Sequence, residues 1–225
     1  MKIAVLGAGS VGQTMGAALA ARGHDVTLGI RNPSGEELSR PRSQAEALTV
    51  WQARTKAAVA TLSDAAAGAG LIINATQGAG SLEALTAAGA KNLAGKVLID
   101  IANPLDFSRG MPPFLIAGLS GPTSLGEEIQ RAFPAARVVK AFNTIAAAVM
   151  VDPSLIPGAH DLFIAGNDPD AKAAVSDLAR AFGWTNIVDL GGIDGARASE
   201  SLLPIWVRLY MTGGSPLVNL HVARA

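Results

Sequence analysis

The chain has 225 residues, 49% of them apolar and 16% charged, and its 18 basic and 18 acidic side chains cancel. That size and apolar content suit one compact domain, or one domain with a modest extension. The neutral balance argues against nucleic-acid partners and a polybasic membrane anchor, and the lack of cysteine excludes disulfides, thiolate nucleophiles and iron–sulfur clusters.

Residues 2–6 form an apolar run closed by Gly7, which reads as a buried parallel strand and is far too short for a signal-peptide core. From Val11 to Arg22, Met15, Leu19 and small residues recur at helical spacing, and Gly23 supplies a stop. A second strand is expected at 25–29, then a polar loop over 31–42. Further strands are expected at 58–61, 71–75, 97–101, 137–142, 162–165 and 187–190, most of them separated by helical segments. Such alternation predicts βαβ units: an α/β, Rossmann-type doubly wound, mostly parallel sheet with a small C-terminal α/β extension. The division expected is 1–145 for the nucleotide-binding domain and 146–225 for the extension.

Residues 104–122, rich in Gly and Pro and carrying Phe107, Arg109, Met111 and Phe114, are too long for an ordinary loop. They follow the carboxyl end of the fifth strand, where α/β proteins bind ligands, so a functional loop is expected. Ser124 and Glu127 form a capping-box pattern, and Asp168-Pro169 opens a helix closed by Gly183. A last helix over 196–211 carries Leu202, Ile205, Trp206, Leu209 and Tyr210 on one face, with a kink or restart at Pro204. An exposed apolar stripe there predicts a homodimer. No apolar stretch approaches the roughly 20 residues of a membrane helix, so a cytoplasmic protein without membrane partners is expected. His24, His160 and His221 lie far apart, and no metal site is expected.

Gly7-Ala8-Gly9-Ser10-Val11-Gly12 fits the dinucleotide fingerprint G-x-G-x-x-G, and it follows a strand, opens a helix and precedes a second strand. Gly7 serves the tight turn, Gly9 the close approach of a pyrophosphate, and Gly12 the packing of helix on sheet. Amides near Ser10 and Val11 then face the phosphates. After the second strand, where an NAD-selective site carries an acid, this chain has Ile30-Arg31-Asn32-Pro33-Ser34. An acid would repel a 2′-phosphate, whereas Arg31, with Asn32 and Ser34 beside it, can bind one. NADP(H) is therefore the expected cofactor. Ala75 and Thr76 end the fourth strand, and Ala102 and Asn103 follow the fifth. The alanines would let a nicotinamide pass close by. Thr76 and Asn103 are either cofactor contacts or turn residues.

At these residues, and again at Val138-Val139-Lys140-Ala141-Phe142-Asn143-Thr144, the chain resembles the coenzyme F420-dependent NADP oxidoreductases. The likeness extends to Asn103-Pro104-Leu105-Asp106-Phe107 and to Leu202-Leu203-Pro204-Ile205-Trp206. The resemblance implies hydride transfer between NADPH and a deazaflavin, F420, as co-substrate. The module is also similar to the cytosolic domain of the six-transmembrane ferric reductases, which implies FMN or FAD instead. A flavin or ferric reductase, or a non-catalytic NADP(H)-binding sensor subunit, are the alternative functions. Two departures from the archaeal members stand out: Ile30 replaces a serine, with Gly35 near a lysine position, and Asn143 replaces a histidine. Two stacked coenzymes would need no protein nucleophile, so no catalytic residue is assigned. Asn143 and Thr144 are the candidates to touch the rings. Trp206 is either an apolar wall or a core residue, and Arg109, Lys140 and Arg208 are candidate cations for an anionic coenzyme tail.

Overall fold

Strands buried on both faces must be apolar along most of their length, and this requirement shapes the centre of the fold. In the computed structural model, which describes residues 1–42 and 44–223, β1 (Lys2–Leu6) sends Ile3 and Val5 to one side and Ala4 and Leu6 to the other. Around it lie α1 (Ser10–Ala21), β2 (Asp25–Ile30), α2 (Gly35–Ser39), α3 (Leu48–Thr55), β3 (Ala58–Thr61), α4 (Leu62–Gly68) and β4 (Leu71–Asn74). The chain continues through α5 (Ser81–Ala88), α6 (Ala90–Leu93), β5 (Val97–Asp100), a hairpin of β6 (Leu105–Asp106) and β7 (Phe114–Leu115), α7 (Leu125–Ala132) and β8 (Arg137–Ala141). It ends with α8 (Ala147–Val151), β9 (Leu162–Gly166), α9 (Pro169–Phe182), β10 (Ile187–Asp189), α10 (Ala196–Ser201) and α11 (Leu203–Gly213).

The main sheet has eight strands in the order β10-β9-β8-β5-β4-β1-β2-β3. Every pairing is parallel except that of β8 with β9, which is antiparallel through Val139–Gly166, Lys140–Ala165 and Ala141–Ile164. The strand order reverses between β1 and β4, and ligands bind at such switch points in open α/β sheets. The Rossmann-type, mostly parallel α/β architecture expected from the sequence is the one observed. Residues after 145 add β9 and β10 to the same sheet.

One core joins Met15 and Leu19 of α1 and Val175 and Phe182 of α9 to Val5, Ile73, Ile99 and Val139. The opposite core joins Ala65, Leu85 and Ile129 of α4, α5 and α7 to Leu6, Ile72, Leu98 and Val138. Each large side chain so buried contributes about 1.5–3 kcal/mol.

One local expectation changes and another is met. The polar loop over 31–42 contains α2, a single turn capped by Ser34, whose Oγ accepts from Glu37 N. The last helix is divided: α10 ends at Ser201 and α11 restarts at Leu203, since Pro204 has no amide to continue the ladder. Its buried side chains are Leu203 and Val207, while Ile205 and Leu209, part of the apolar stripe read from the sequence, are exposed as expected. Among the described residues no helix is long and apolar enough to cross a membrane.

The capping pattern at α7 also fastens α10. Ser124 Oγ accepts from Glu127 N and donates to Glu127 Oε2, and the same carboxylate receives the Arg197 guanidinium from α10. The Arg197 hydrogen bond, then those from Ser124, hold the Glu127 carboxyl below its ordinary range. A depressed folded-state pKa adds stability that is complete above the ordinary glutamate pKa and lost as pH falls through the folded value. Glu127→Gln should therefore flatten the acid limb of a melting-temperature profile. A limb as steep as that of wild type would show that the pair adds nothing.

Candidate active site

The loop after β1 is forced into its shape by contacts that only glycine permits. Gly7 has φ +111°, and a Cβ there would lie 2.5 Å from the Ala75 carbonyl oxygen. A Cβ on Gly12 would lie 2.0 Å from the Gly7 carbonyl oxygen, so α1 packs directly on the turn. A Cβ on Gly9 would meet no protein atom, because that position faces an open cleft. Gly9 is also the N-cap of α1 and offers its first-turn amides no side-chain acceptor, nor does that turn hold an acid. The exposed positive end of a twelve-residue helix thus faces the cleft.

Two adjoining cavities make up the cleft. The first, about 760 Å³, is lined by Gly7, Ala8, Gly9, Ile30, Arg31, Asn32 and Ser34, with Thr76 and Glu83 opposite. The second, about 650 Å³, is lined by Ser10, Val11, Ala75, Thr76, Ile101, Ala102, Asn103, Leu105 and Phe107. Ala8, Gly9, Ala75 and Thr76 border both. A third cavity of about 410 Å³, beside His160 and Trp184, contains no residue of the glycine loop.

Arg31 is 80% exposed and lies 3.8 Å from the equally exposed Glu83, a pairing too loose and too solvated to hold it. Thr76 is fixed more firmly. Its Oγ1 donates to Asn74 Oδ1 at 2.7 Å and lies 2.8 Å from Ser81 Oγ. Asn103 lines the second cavity while its Nδ2 donates to the Asn143 carbonyl at 2.8 Å. Asn143 and Thr144, read from the sequence as ring contacts, are buried and line neither cavity. Asn143 Oδ1 has no hydrogen-bond partner among the described residues. Just before it, Phe142 is buried with φ +61°, a left-handed backbone that is an outlier for so bulky a residue.

Lys140 corrects one expectation. Its side chain has no exposed surface, and Nζ lies 2.9 Å from Asp100 Oδ2 and 2.8 Å from Glu200 Oε1. A cation so placed cannot reach a coenzyme tail. Burial pulls its pKa down, but the charges of Asp100 and Glu200 and their hydrogen bonds outweigh this, and the net direction is upward. Asp100 Oδ1 accepts from Asn74 Nδ2 at 2.8 Å, which links the cluster to Thr76. Glu200 also receives the Leu125 and Gly126 amides at the start of α7. Trp206 lines neither cavity of the cleft, and its indole N–H donates to the Val218 carbonyl. Arg109 stacks over Phe114 at 5.6 Å, and Arg208 is exposed on α11. Phe107 reaches the second cavity, whereas Met111 and Phe114 face solvent.

Among the lining residues that the sequence reading did not assign to the site, Arg40, Arg42 and Gln77 border both cavities. The clustering of Arg31, Arg40 and Arg42 within a dozen residues was the available signal.

The family described as NADP oxidoreductase, coenzyme F420-dependent, matches residues 2–104. The F420-dependent NADP reductase of Methanothermobacter marburgensis is 30% identical over 212 residues, 93% of this chain and 92% of that protein. The chain belongs to this family. A crystal structure of an Arthrobacter sp. FB24 protein, provisionally designated an F420-dependent NADP reductase, superposes with a TM-score of 0.94 at 50% identity over the whole of both chains. Metalloreductase STEAP3 of Rattus norvegicus is 32% identical over 91% of this F420-dependent oxidoreductase family member, which spans only 38% of that longer protein.

The buried ion cluster sets a stability test. Lys140→Met would leave two carboxylates buried without their cation and should cost about 3–5 kcal/mol in a urea titration. A loss below about 1 kcal/mol would mean that the α7 amides and Asn74 already satisfy both acids.

Proposed function

We propose that this chain transfers hydride between NADP(H) and the deazaflavin coenzyme F420. The observation that supports this most is the continuous cleft. It runs from Arg31, Asn32 and Ser34, past the open position at Gly9, to the apolar end formed by Val11, Ile101, Ala102 and Phe107. Its first half suits an adenosine 2′-phosphate, with an exposed guanidinium and two neutral polar side chains and no acid at the position that would select NAD. Gly7, Ala8, Ser10 and Val11 would carry the backbone contacts to the phosphates, and Gly12 holds α1 in place. In the second half, Ala75 and Thr76 on one side and Asn103 on the other would flank the nicotinamide. Asn143 would support Asn103 through their paired hydrogen bonds, with Thr144 buried next to it in the chain.

When bound, the two coenzymes supply the donor and acceptor carbons, and the chain's own task is orientation and exclusion of water. Leu105 and Phe107, from the segment after β5, supply an apolar wall for that purpose. Arg109 and Arg208 are exposed cations that line neither cavity, so any hold on an anionic coenzyme tail would be outside the cleft. A second reading, reduction of a flavin or ferric acceptor by NADPH, is favoured by the likeness to a metalloreductase.

Anaerobic mixing of the protein and NADPH with oxidised F420, and in parallel with FMN, separates the two. Fast loss of the deazaflavin absorbance with F420 alone is expected. Turnover of FMN but not F420 would transfer the assignment to the second reading, and turnover of neither would reject both.

We further propose a homodimer formed through α11, supported by its exposed Ile205, Leu209 and Met211. Light scattering at micromolar concentration should give twice the chain mass of 22.8 kDa. A monomer mass would reject the dimer.

A further inference from the structure

The two halves of the cleft meet at a seam, and a dinucleotide lying in both must cross it with its pyrophosphate. One side of the seam is the first turn of α1, beginning at Gly9. Arg40 and Arg42, from the chain just beyond α2, border both cavities, whereas Arg31 borders only the first. They therefore stand at a different phosphate from the one Arg31 serves.

This arm is built in place. Gln13 of α1 donates to the Ala8 and Glu46 carbonyls at 3.2 and 2.9 Å, and its Oε1 accepts from Glu46 N at 3.1 Å. Arg42 forms a β-bridge with Ala45, one residue before that anchor. The side chain of Arg42 is only 15% exposed, and its Nε has no hydrogen-bond partner among the described residues. A guanidinium held this deep, with a donor unused, is set up to receive more acceptors than the protein gives it.

What both arginines do hold is a single carboxylate. Glu37 Oε1 lies 2.9 Å from Arg40 Nη2 and 2.7 Å from Arg42 Nη2. The hydrogen bond from Arg40, followed by that from Arg42, keeps the Glu37 carboxyl below its usual range, so it is anionic at neutral pH. Glu37 itself borders the first cavity. One carboxylate oxygen between two guanidinium groups has the charge and the acceptor chemistry of a phosphate oxygen, and it stands where one would enter.

We propose that Arg40 and Arg42 form the second jaw of a pyrophosphate clamp, opposite the amides of α1, and that Glu37 holds them until a dinucleotide takes its place. This rests on the dinucleotide reading of the cleft. The bound phosphates exchange one anionic partner of the arginines for another, with no bond made or broken. Because the pyrophosphate is common to NADPH and NADH, the pair adds affinity without discriminating between them. Discrimination is left to Arg31.

Calorimetric titration of NADPH and NADH into wild type, Arg31→Ala, Arg40→Ala, Arg42→Ala and Glu37→Gln tests this. Each of the Arg40 and Arg42 variants should weaken both dinucleotides by the same factor, roughly tenfold or more for a lost charge-assisted contact. Arg31→Ala should weaken NADPH alone. Glu37→Gln should tighten both severalfold. Arg40 is 59% exposed, so its variant provides a reading even if Arg42→Ala fails to fold. Loss of NADPH affinity without loss of NADH affinity would reassign the pair to the 2′-phosphate and overturn the clamp. Unchanged affinity for both would reduce the arginines to partners of Glu37, and a Glu37→Gln variant that binds no tighter would overturn the exchange. If wild type bound neither dinucleotide, the reading of the cleft itself would fail. If Arg31→Ala discriminated while Arg40→Ala and Arg42→Ala changed nothing, only the clamp would fall.

Discussion

Lys140 places a full positive charge where no water reaches it, and much of the carboxyl edge of the sheet is arranged around that charge. Asp100 at the end of β5 and Glu200 in α10 supply two negative charges, and the Ala102 carbonyl accepts a further hydrogen bond. Desolvating three ionised groups is expensive, and an apolar replacement of the same volume often proves as stable. What the cluster supplies is relative position. It ties β5 to β8, brings α10 against the amides that open α7, and through Asn74 fixes the hydroxyl of Thr76. The floor of the cleft and the C-terminal helices are therefore coupled through fixed hydrogen-bond directions, which apolar contacts do not have.

On this frame the cleft combines two kinds of positive potential. At its centre the helix end and the glycine loop present backbone amides, which hold their positions whatever the surrounding side chains do. Around them Arg31, Arg40 and Arg42 lie on short or irregular segments, at differing depths and with carboxylate partners of differing hold. On the proposed reading, a fixed amide nest beneath guanidinium groups held to different degrees would separate the binding of phosphate from the choice among nucleotides. Among the described residues no charged side chain lines the second cavity beyond the seam, which would suit the proposed transfer between two rings in a dry space.

The sheet was legible because its central strands are buried on both faces and so read as unbroken apolar runs such as Leu71-Ile72-Ile73 and Val97-Leu98-Ile99. The glycine loop was legible because its backbone conformation and close approaches exclude other residues. The ion cluster was not: Asp100, Lys140 and Glu200 are widely separated in sequence, and nothing local pairs them. The one clue was a lysine inside the apolar run Val138-Val139-Lys140-Ala141, where a charge demands a partner. The arginine arm was hidden for the opposite reason. A five-residue polar helix has no hydrophobic periodicity, and its place over the cleft depends on Gln13 reaching across to Glu46. The exposed apolar stripe of the last helix and its restart at Pro204 were legible, but Leu203 and Val207, the residues that pin α11 to the body, were not singled out.

Phe142 carries a constraint of another kind. Its left-handed backbone lets the chain leave β8 so that the Asn143 carbonyl meets the amide of Asn103, and such a conformation costs on the order of 1–3 kcal/mol in a residue with a bulky side chain. Glycine would relieve the backbone but leave a void the size of a benzyl group in the larger core. A β-branched residue would fill part of the void and make the torsion worse. Few residue types can satisfy both demands, so drift at this position is confined to a narrow set of aromatic and long unbranched side chains.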